Sequence, residues 1–184
     1  YDQDAYAGAD LQFIGTLQTN KVKYLIGKVS LIQSVGSDHL GKAIAKEAAK
    51  KDLCQDILIE VNIGREEAKS GLLPEELTSA VEELSALPSL RIRGLMAIPP
   101  IADQETGNTP YFQKMRQLYD GLAALDLPNV KMDYLSMGMT DDFREERLRH
   151  SLRRGGLVPP GRCPVFTVFI FHLPGKRCPE SHRR

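Results

Sequence analysis

Two patterns of apolar residues alternate along the chain. Short runs are almost wholly apolar: 11–14 (Leu-Gln-Phe-Ile), 31–35 (Leu-Ile-Gln-Ser-Val), 57–63 (Ile-Leu-Ile-Glu-Val-Asn-Ile), 92–98 (Ile-Arg-Gly-Leu-Met-Ala-Ile) and 132–135 (Met-Asp-Tyr-Leu). Runs of this kind predict strands of a parallel sheet buried on both faces. Between them apolar residues recur every three or four positions, the period of an amphipathic helix. Ser37 is placed to cap a helix over 38–51, with Leu40, Ala43, Ile44 and Ala48 on one stripe. Pro74 opens 74–86, with Leu77, Ala80, Val81 and Leu84. Thr109-Pro110 opens 110–125, with Phe112, Met115, Leu118, Tyr119 and Leu122 inward, and 20–27 forms a shorter helix. Strand-then-helix repetition predicts right-handed βαβ units, in either a doubly wound sheet or a β/α barrel. A closed (β/α)8 barrel needs eight strands and five are visible, so a barrel here is expected to be incomplete.

Composition narrows the class. Of 184 residues, 42% are apolar and 26% charged, which supplies a core and argues against disorder. No run nears the roughly 18 apolar residues of a membrane span. The first residue is Tyr, with no basic-then-apolar leader behind it. Cys54, Cys163 and Cys178 form no CxxC pair, which argues against a zinc site or a disulfide scaffold. A reducing cytoplasm is therefore expected. Charge changes the picture at one place. Residues 144–184 hold ten Lys or Arg against three Glu, and the neutral total leaves 1–143 acidic by seven. This segment also breaks the strand-helix alternation, and only Val165 to Phe171 has strand character.

Candidate chemistry gathers where strands end. Ser136-Met137-Gly138-Met139-Thr140, before Asp141-Asp142-Phe143, joins the fifth strand to a helix. Small and hydroxyl residues let backbone N–H groups approach a ligand, and a helix N-terminus favours phosphate. The same residues also suit a plain turn capped by Thr140. Asn62 ends the third strand ahead of the polar loop 64–71, Gly15 and Thr16 follow the first, and Met96 lies near the end of the fourth. No HExxH, GxGxxG or P-loop pattern occurs.

Four blocks in order carry a resemblance: Phe-Ile-Gly-Thr-Leu-Gln-Thr-Asn-Lys at 13–21, Glu-Val-Asn-Ile-Gly-Arg-Glu-Glu-Ala-Lys-Ser-Gly at 60–71, Arg-Gly-Leu-Met-Ala-Ile-Pro-Pro at 93–100, and Leu-Ser-Met-Gly-Met-Thr-Asp-Asp-Phe at 135–143. Together, over about residues 11–143, they resemble the pyridoxal phosphate homeostasis protein family, which has an alanine-racemase-like barrel. The resemblance implies an α/β fold, a (β/α)8 TIM-type barrel lacking its first strands here and with its last strand replaced. It implies pyridoxal 5′-phosphate as cofactor in intracellular vitamin B6 homeostasis, without established turnover. It places Ser136, Gly138, Met139 and Thr140 on the phosphate and Asn62 beside the pyridine ring. A cytoplasmic monomer with no nucleic-acid or membrane partner is expected.

Three departures qualify this expectation. The family's cofactor-bonding lysine and the Gly-Glu-Asn block after it are absent, so no catalytic residue is assigned. Gln12 and Thr16 stand where the family often has His. Beyond Phe143 the family's Arg-apolar-Gly strand is missing. Codons for Val158 to Phe166, read one base later, permit Arg-Leu-Gly-Asp-Ala-Leu-Phe, so 144–184 is expected to be a divergent basic tail from a shifted frame. An alanine-racemase-like enzyme is one alternative, although such enzymes add a β-domain for which 184 residues leave no room. An inactive fragment is another. A nucleic-acid module rests only on the tail, whose arginines lack interleaved aromatics.

Overall fold

A computed structural model describes residues 10–100 and 107–137, and the backbone of 169–172. Its strands are β1 (Gln12–Phe13), β2 (Leu31–Val35), β3 (Gln55–Glu60), β4 (Leu90–Ala97), β5 (Val130–Met137) and β6 (Phe169–His172). Its α-helices are α1 (Asp38–Ala49), α2 (Leu77–Ser85) and α3 (Thr109–Ala123), and a 3-10 helix spans Thr19–Tyr24. The six strands form one sheet in chain order. The first five are parallel, each pairing with the next, as expected of consecutive β/α units. β6 pairs with β5 antiparallel, unlike the parallel strands of an ordinary (β/α)8 barrel.

Local sequence accounts for the helices. Ser37 adopts an extended conformation and its side chain accepts a hydrogen bond from Leu40 N, so it caps α1 as expected. The buried stripe of α1 differs by one position: Ala45 is buried and Ala43 only half-buried. In α2 all four expected stripe residues are buried, but the helix begins at Leu77, because residues 74–76 form a turn in which Glu76 accepts from Leu73 N. In α3 Phe112, Met115, Tyr119 and Leu122 are buried, and Pro110 occupies the first turn, where its missing N–H costs nothing.

Two apolar layers result. The larger lies between the sheet and its helices and includes Ile32, Val35, Ile44, Ile57, Ile59, Val81, Leu84, Ile92, Leu95 and Leu135. On the opposite, inner face Leu31, Leu58 and Met96 pack with Tyr134. Below this inner cluster, in the amino-terminal halves of β3, β4 and β5, Arg93 bridges Asp56 and Asp133. Its Nη2 lies 2.6 Å from Asp133 Oδ2, and its guanidinium sits 5.2 Å from the Tyr134 ring centroid. Burial opposes the charge on Arg93, but the hydrogen bond it donates to Asp133 and the charges of Asp56 and Asp133 overcome it and hold its pKa above the usual value. Gly94 makes the crowding at this level tolerable. Its φ is +148°, and a Cβ there would lie 1.8 Å from Tyr134 O. The β4–β5 register shifts at this point, between Ile92 and Gly94.

Candidate functional site

Sheets of β/α units present ligand sites at the carboxyl ends of their strands. Pairing brings three residues of this end onto one rung: Glu60 of β3 faces Met96 of β4, and Met96 faces Ser136 of β5. Their chain neighbours Ile59, Leu95 and Leu135 belong to the helix-side core, so the alternation of a strand turns Glu60, Met96 and Ser136 to the inner face. Asn62 follows two residues beyond Glu60, and Gly15 follows the end of β1. Gly15, Asn62, Met96 and Ser136 thus lie at one end of the sheet.

A chain of polar side chains crosses this inner face. Ser136 Oγ donates to Gln33 Oε1 at 2.7 Å, Gln33 Nε2 donates to Gln12 Oε1 at 2.7 Å, and Gln12 Nε2 donates to Asp10 Oδ2 at 3.2 Å. Gln33 and Ser136 are both fully buried. The polarity of the chain follows from its end. A carboxylate only accepts, so Gln12 turns its NH2 to Asp10 and its oxygen to Gln33. Gln33 must then donate to Gln12 and accept from Ser136. The Gln33–Ser136 bond also measures curvature. β2 and β5 are separated by β3 and β4, and three strand spacings span roughly 14 Å in a flat sheet. A 2.7 Å contact between their side chains requires the sheet to curl toward closure on this face.

The loop after β3 is held by Asn62. Its Oδ1 accepts from Glu66 N at 3.0 Å, and its Nδ2 donates to Glu66 O at 2.9 Å and Lys69 O at 3.4 Å. Its backbone N–H donates to Leu72 O. Asn62 therefore fixes the path of 62–72, while its amide plane lies at the strand end. Lys69 pairs with Glu66 and reaches Pro99 O at 3.4 Å, tying this loop to the one after β4. Glu60 accepts from Ser70 Oγ at 2.9 Å. Burial raises its pKa, with the Ser70 bond opposing the shift. Gly36 and Gly71 close the gap beside it: a Cβ on Gly36 would fall 2.9 Å from Gly71 N and 3.2 Å from Glu60 Oε2.

Of the residues expected to hold a cofactor, the structure brings Asn62 and Ser136 to one end, while Gly138, Met139 and Thr140 lie outside the described residues. Ser136 belongs to β5, which runs to Met137, so the strand extends two residues past its apolar run. Sequence reasoning missed Gln33, Gln12 and Glu60. Their signal was present: each is a polar side chain at an inward position of an otherwise apolar run. Among the described residues no group of three His, Cys, Asp or Glu could hold a metal, and no helix is long and apolar enough to cross a membrane.

An incomplete β/α barrel with a hydroxyl at the carboxyl end of its fifth strand defines a class, and comparison with known proteins agrees. The chain belongs to the alanine racemase N-terminal domain family, which matches residues 3–161. Within it, the relatives are pyridoxal phosphate homeostasis proteins. That of Aquifex aeolicus is 47% identical over 142 residues, covering 76% of this chain and 61% of the relative. That of Haemophilus influenzae is 37% identical over 131 residues, covering 71% and 55%. The chain thus spans little more than half the length of these relatives. Among solved structures, PipY of Synechococcus elongatus with pyridoxal phosphate bound superposes with a TM-score of 0.65 at 25% identity, over 77% of this chain and 66% of PipY. The alanine racemase of Clostridium difficile, at 13% identity, TM-score 0.63 and coverage of 75% and 36%, shares the fold.

Proposed function

We propose that this chain carries part of a pyridoxal 5′-phosphate site and acts in cytoplasmic vitamin B6 homeostasis as a monomer, without turnover of its own. The observation that carries the reading is the shared rung of Glu60, Met96 and Ser136, at the end of the sheet where Asn62 also sits. Names of relatives and the cofactor in PipY support it. Ser136 contributes a hydroxyl at this end, buried and bonded to Gln33, Met96 an apolar side chain buried in the inner cluster, and Asn62 an amide whose hydrogen-bonding groups hold the following loop.

When bound, pyridoxal phosphate supplies an electron-withdrawing ring and an aldehyde. In this reading Ser136 and the backbone of Gly138 to Thr140 hold the phosphate, and Asn62 fixes the loop flanking the ring. The contacts proposed here are a few charge-assisted hydrogen bonds, roughly 1.5–3 kcal/mol each before the cost of association. Weak binding is expected. Equilibrium dialysis of the 184-residue chain tests it: pyridoxal phosphate binds saturably, inorganic phosphate competes, and Ser136→Ala with Thr140→Ala weakens binding without unfolding. Binding that ignores both phosphate and the double variant would remove the proposal. Origin of 144–184 in a shifted reading frame is a separate proposal, tested by sequencing the encoding DNA.

A further inference from the structure

The 3-10 helix Thr19–Tyr24 packs against α1, and its residues divide between two sides. Val22, and Ile26 just beyond the helix, join Ile44 and Ala48 in the helix-side core. Lys21, Lys23 and Tyr24 are left in solvent. The lysines that end α1 come to the same place. Lys51 Nζ donates to Ile26 O at 2.7 Å and to Lys23 O at 3.2 Å. The hydrogen bond from Lys50, with the charges of Lys50, Lys46 and Lys23, holds the Glu47 carboxyl below the usual carboxylate range, against the opposing effect of burial.

Charge is balanced differently at the two ends of α1. At its start Lys42 pairs with Asp38 and with Glu83 of α2. At its end Lys50 pairs with Glu47. Lys21, Lys23, Lys46 and Lys51 make no salt bridge among the described residues, and only Asp52 adds a further carboxylate in the turn after α1. Carbonyls at a helix end favour a cation or two, and Lys51 fills that role here. The other lysines leave an excess of positive charge. Apolar surface is exposed beside it. Tyr24 is 56% exposed and Leu53 43%, two of the four large apolar side chains exposed among the described residues. The Nζ atoms of Lys21 and Lys23 stand 5.9 and 5.0 Å from the Tyr24 ring centroid. Leu53 packs at Gly27, three residues past Tyr24, with its Cδ1 3.1 Å from where a Cβ of Gly27 would stand.

We propose that the face formed by the 3-10 helix and the end of α1 docks an acidic polypeptide segment of a partner protein, whose carboxylates meet the lysines and whose apolar residues cover Tyr24 and Leu53. Apolar side chains, Tyr above all, with charge kept to the rim are the composition of a protein interface. Single-stranded nucleic acid fits less well, because it stacks on a series of aromatic faces. The 3-10 helix and the end of α1 offer one ring, and lysines already lie against it. The face lies on the helix side of the sheet, so the inference stands apart from the cofactor reading.

The test is fluorescence anisotropy of the whole chain at low salt with a short labelled peptide of Asp and Glu that carries Phe and Leu at its centre. Saturable binding is expected, weakening as salt rises. Lys23→Glu and Lys46→Glu each weaken it about fivefold, the worth of one exposed ion pair at the upper end of its range. Lys114→Glu, the same change of charge on exposed α3 surface, leaves it within twofold. Tyr24→Ser weakens it about tenfold, as loss of an aromatic anchor does. A peptide with Ser in place of Phe and Leu binds about as weakly and is indifferent to Tyr24→Ser. All these side chains are exposed, and circular dichroism checks that each variant folds. Absence of saturable binding overturns the proposal, as does a loss in Lys114→Glu equal to that in Lys23→Glu and Lys46→Glu, or indifference of the first peptide to Tyr24→Ser. Equal or tighter binding of labelled oligouridylate, or of phosphatidylserine–phosphatidylcholine vesicles, with the same dependence on Lys23 and Tyr24, overturns it in favour of a nucleic acid or a membrane.

Discussion

Arg93→Met is expected to cost the fold about 3 kcal/mol. The guanidinium makes two bonds to Asp133 Oδ2, from Nε at 2.8 Å and Nη2 at 2.6 Å, and one to Asp56 Oδ2 from Nη1. The side chain of Asp133 is only 4% exposed, so water cannot replace the lost partner. Its remaining partner, Lys131, stands 3.3 Å away on a side chain that is 56% exposed, and such a pair contributes little. Asp56 fares better, because Arg91 Nε remains at 2.7 Å. One buried carboxylate is therefore left nearly alone and the other is not, which places the loss at the low end of the range for breaking a buried pair, about 3–5 kcal/mol. Arg93→Lys keeps the charge but loses the fork, and should cost about half as much. Urea unfolding reads the effect. With a slope of about 2 kcal/mol per molar, the midpoint falls by about 1.5 M for Arg93→Met at an unchanged slope. A loss below about 1 kcal/mol would refute the view that this network closes the amino end of the inner face.

Burial raises the Glu60 pKa, so the folded chain binds that proton more tightly than the unfolded chain does, and stability falls as pH rises from the ordinary carboxylate range through the raised value. Glu60→Gln should therefore raise the melting temperature at pH 7.5 and by much less at pH 3, below the ordinary carboxylate range, where both states are largely protonated; paired thermal melts check this. Tyr119, which donates its hydroxyl to Met132 O, has a pKa pushed up to about 12 by burial and by the charge of Asp133. Ultraviolet titration should show one tyrosine ionising near that value that is missing in Tyr119→Phe, and urea unfolding should show that variant about 1 kcal/mol less stable. Gly94→Ala should cost at least about 2 kcal/mol or prevent folding, because the new Cβ would meet the backbone carbonyl of Tyr134, and urea unfolding or soluble yield would show it.

Much of this architecture was legible in the order of residues. Five apolar runs became five parallel strands, because only strands covered on both faces can be so continuously apolar. Helix boundaries moved where side chains compete for backbone groups: α2 starts at Leu77 because Glu76 captures Leu73 N–H in a turn. Asn62 and Ser136, singled out in the family blocks, do lie at the same end of the sheet, as expected of them. The link from Ser136 to Gln33 was not legible, since 103 residues separate them and it depends on how far the sheet curls. Curvature is a property of packing and closure, and no single strand encodes it. Glu60 was hidden likewise, because its proton affinity follows from burial beside Gly36 and Ser70.

The central claim is that pyridoxal phosphate occupies the carboxyl end of the inner face. Its most direct test is a titration of the uniformly 15N-labelled chain with the cofactor, followed by two-dimensional amide spectra. The account predicts saturable shifts at the backbone amides of Asn62, Met96 and Ser136 and at the side-chain amide of Gln33, with Asp56, Arg91 and Lys131 at the opposite end unmoved. Shifts clustered at Asp56, Arg91 and Lys131, or no saturable shift at Ser136 and Gln33, would contradict it.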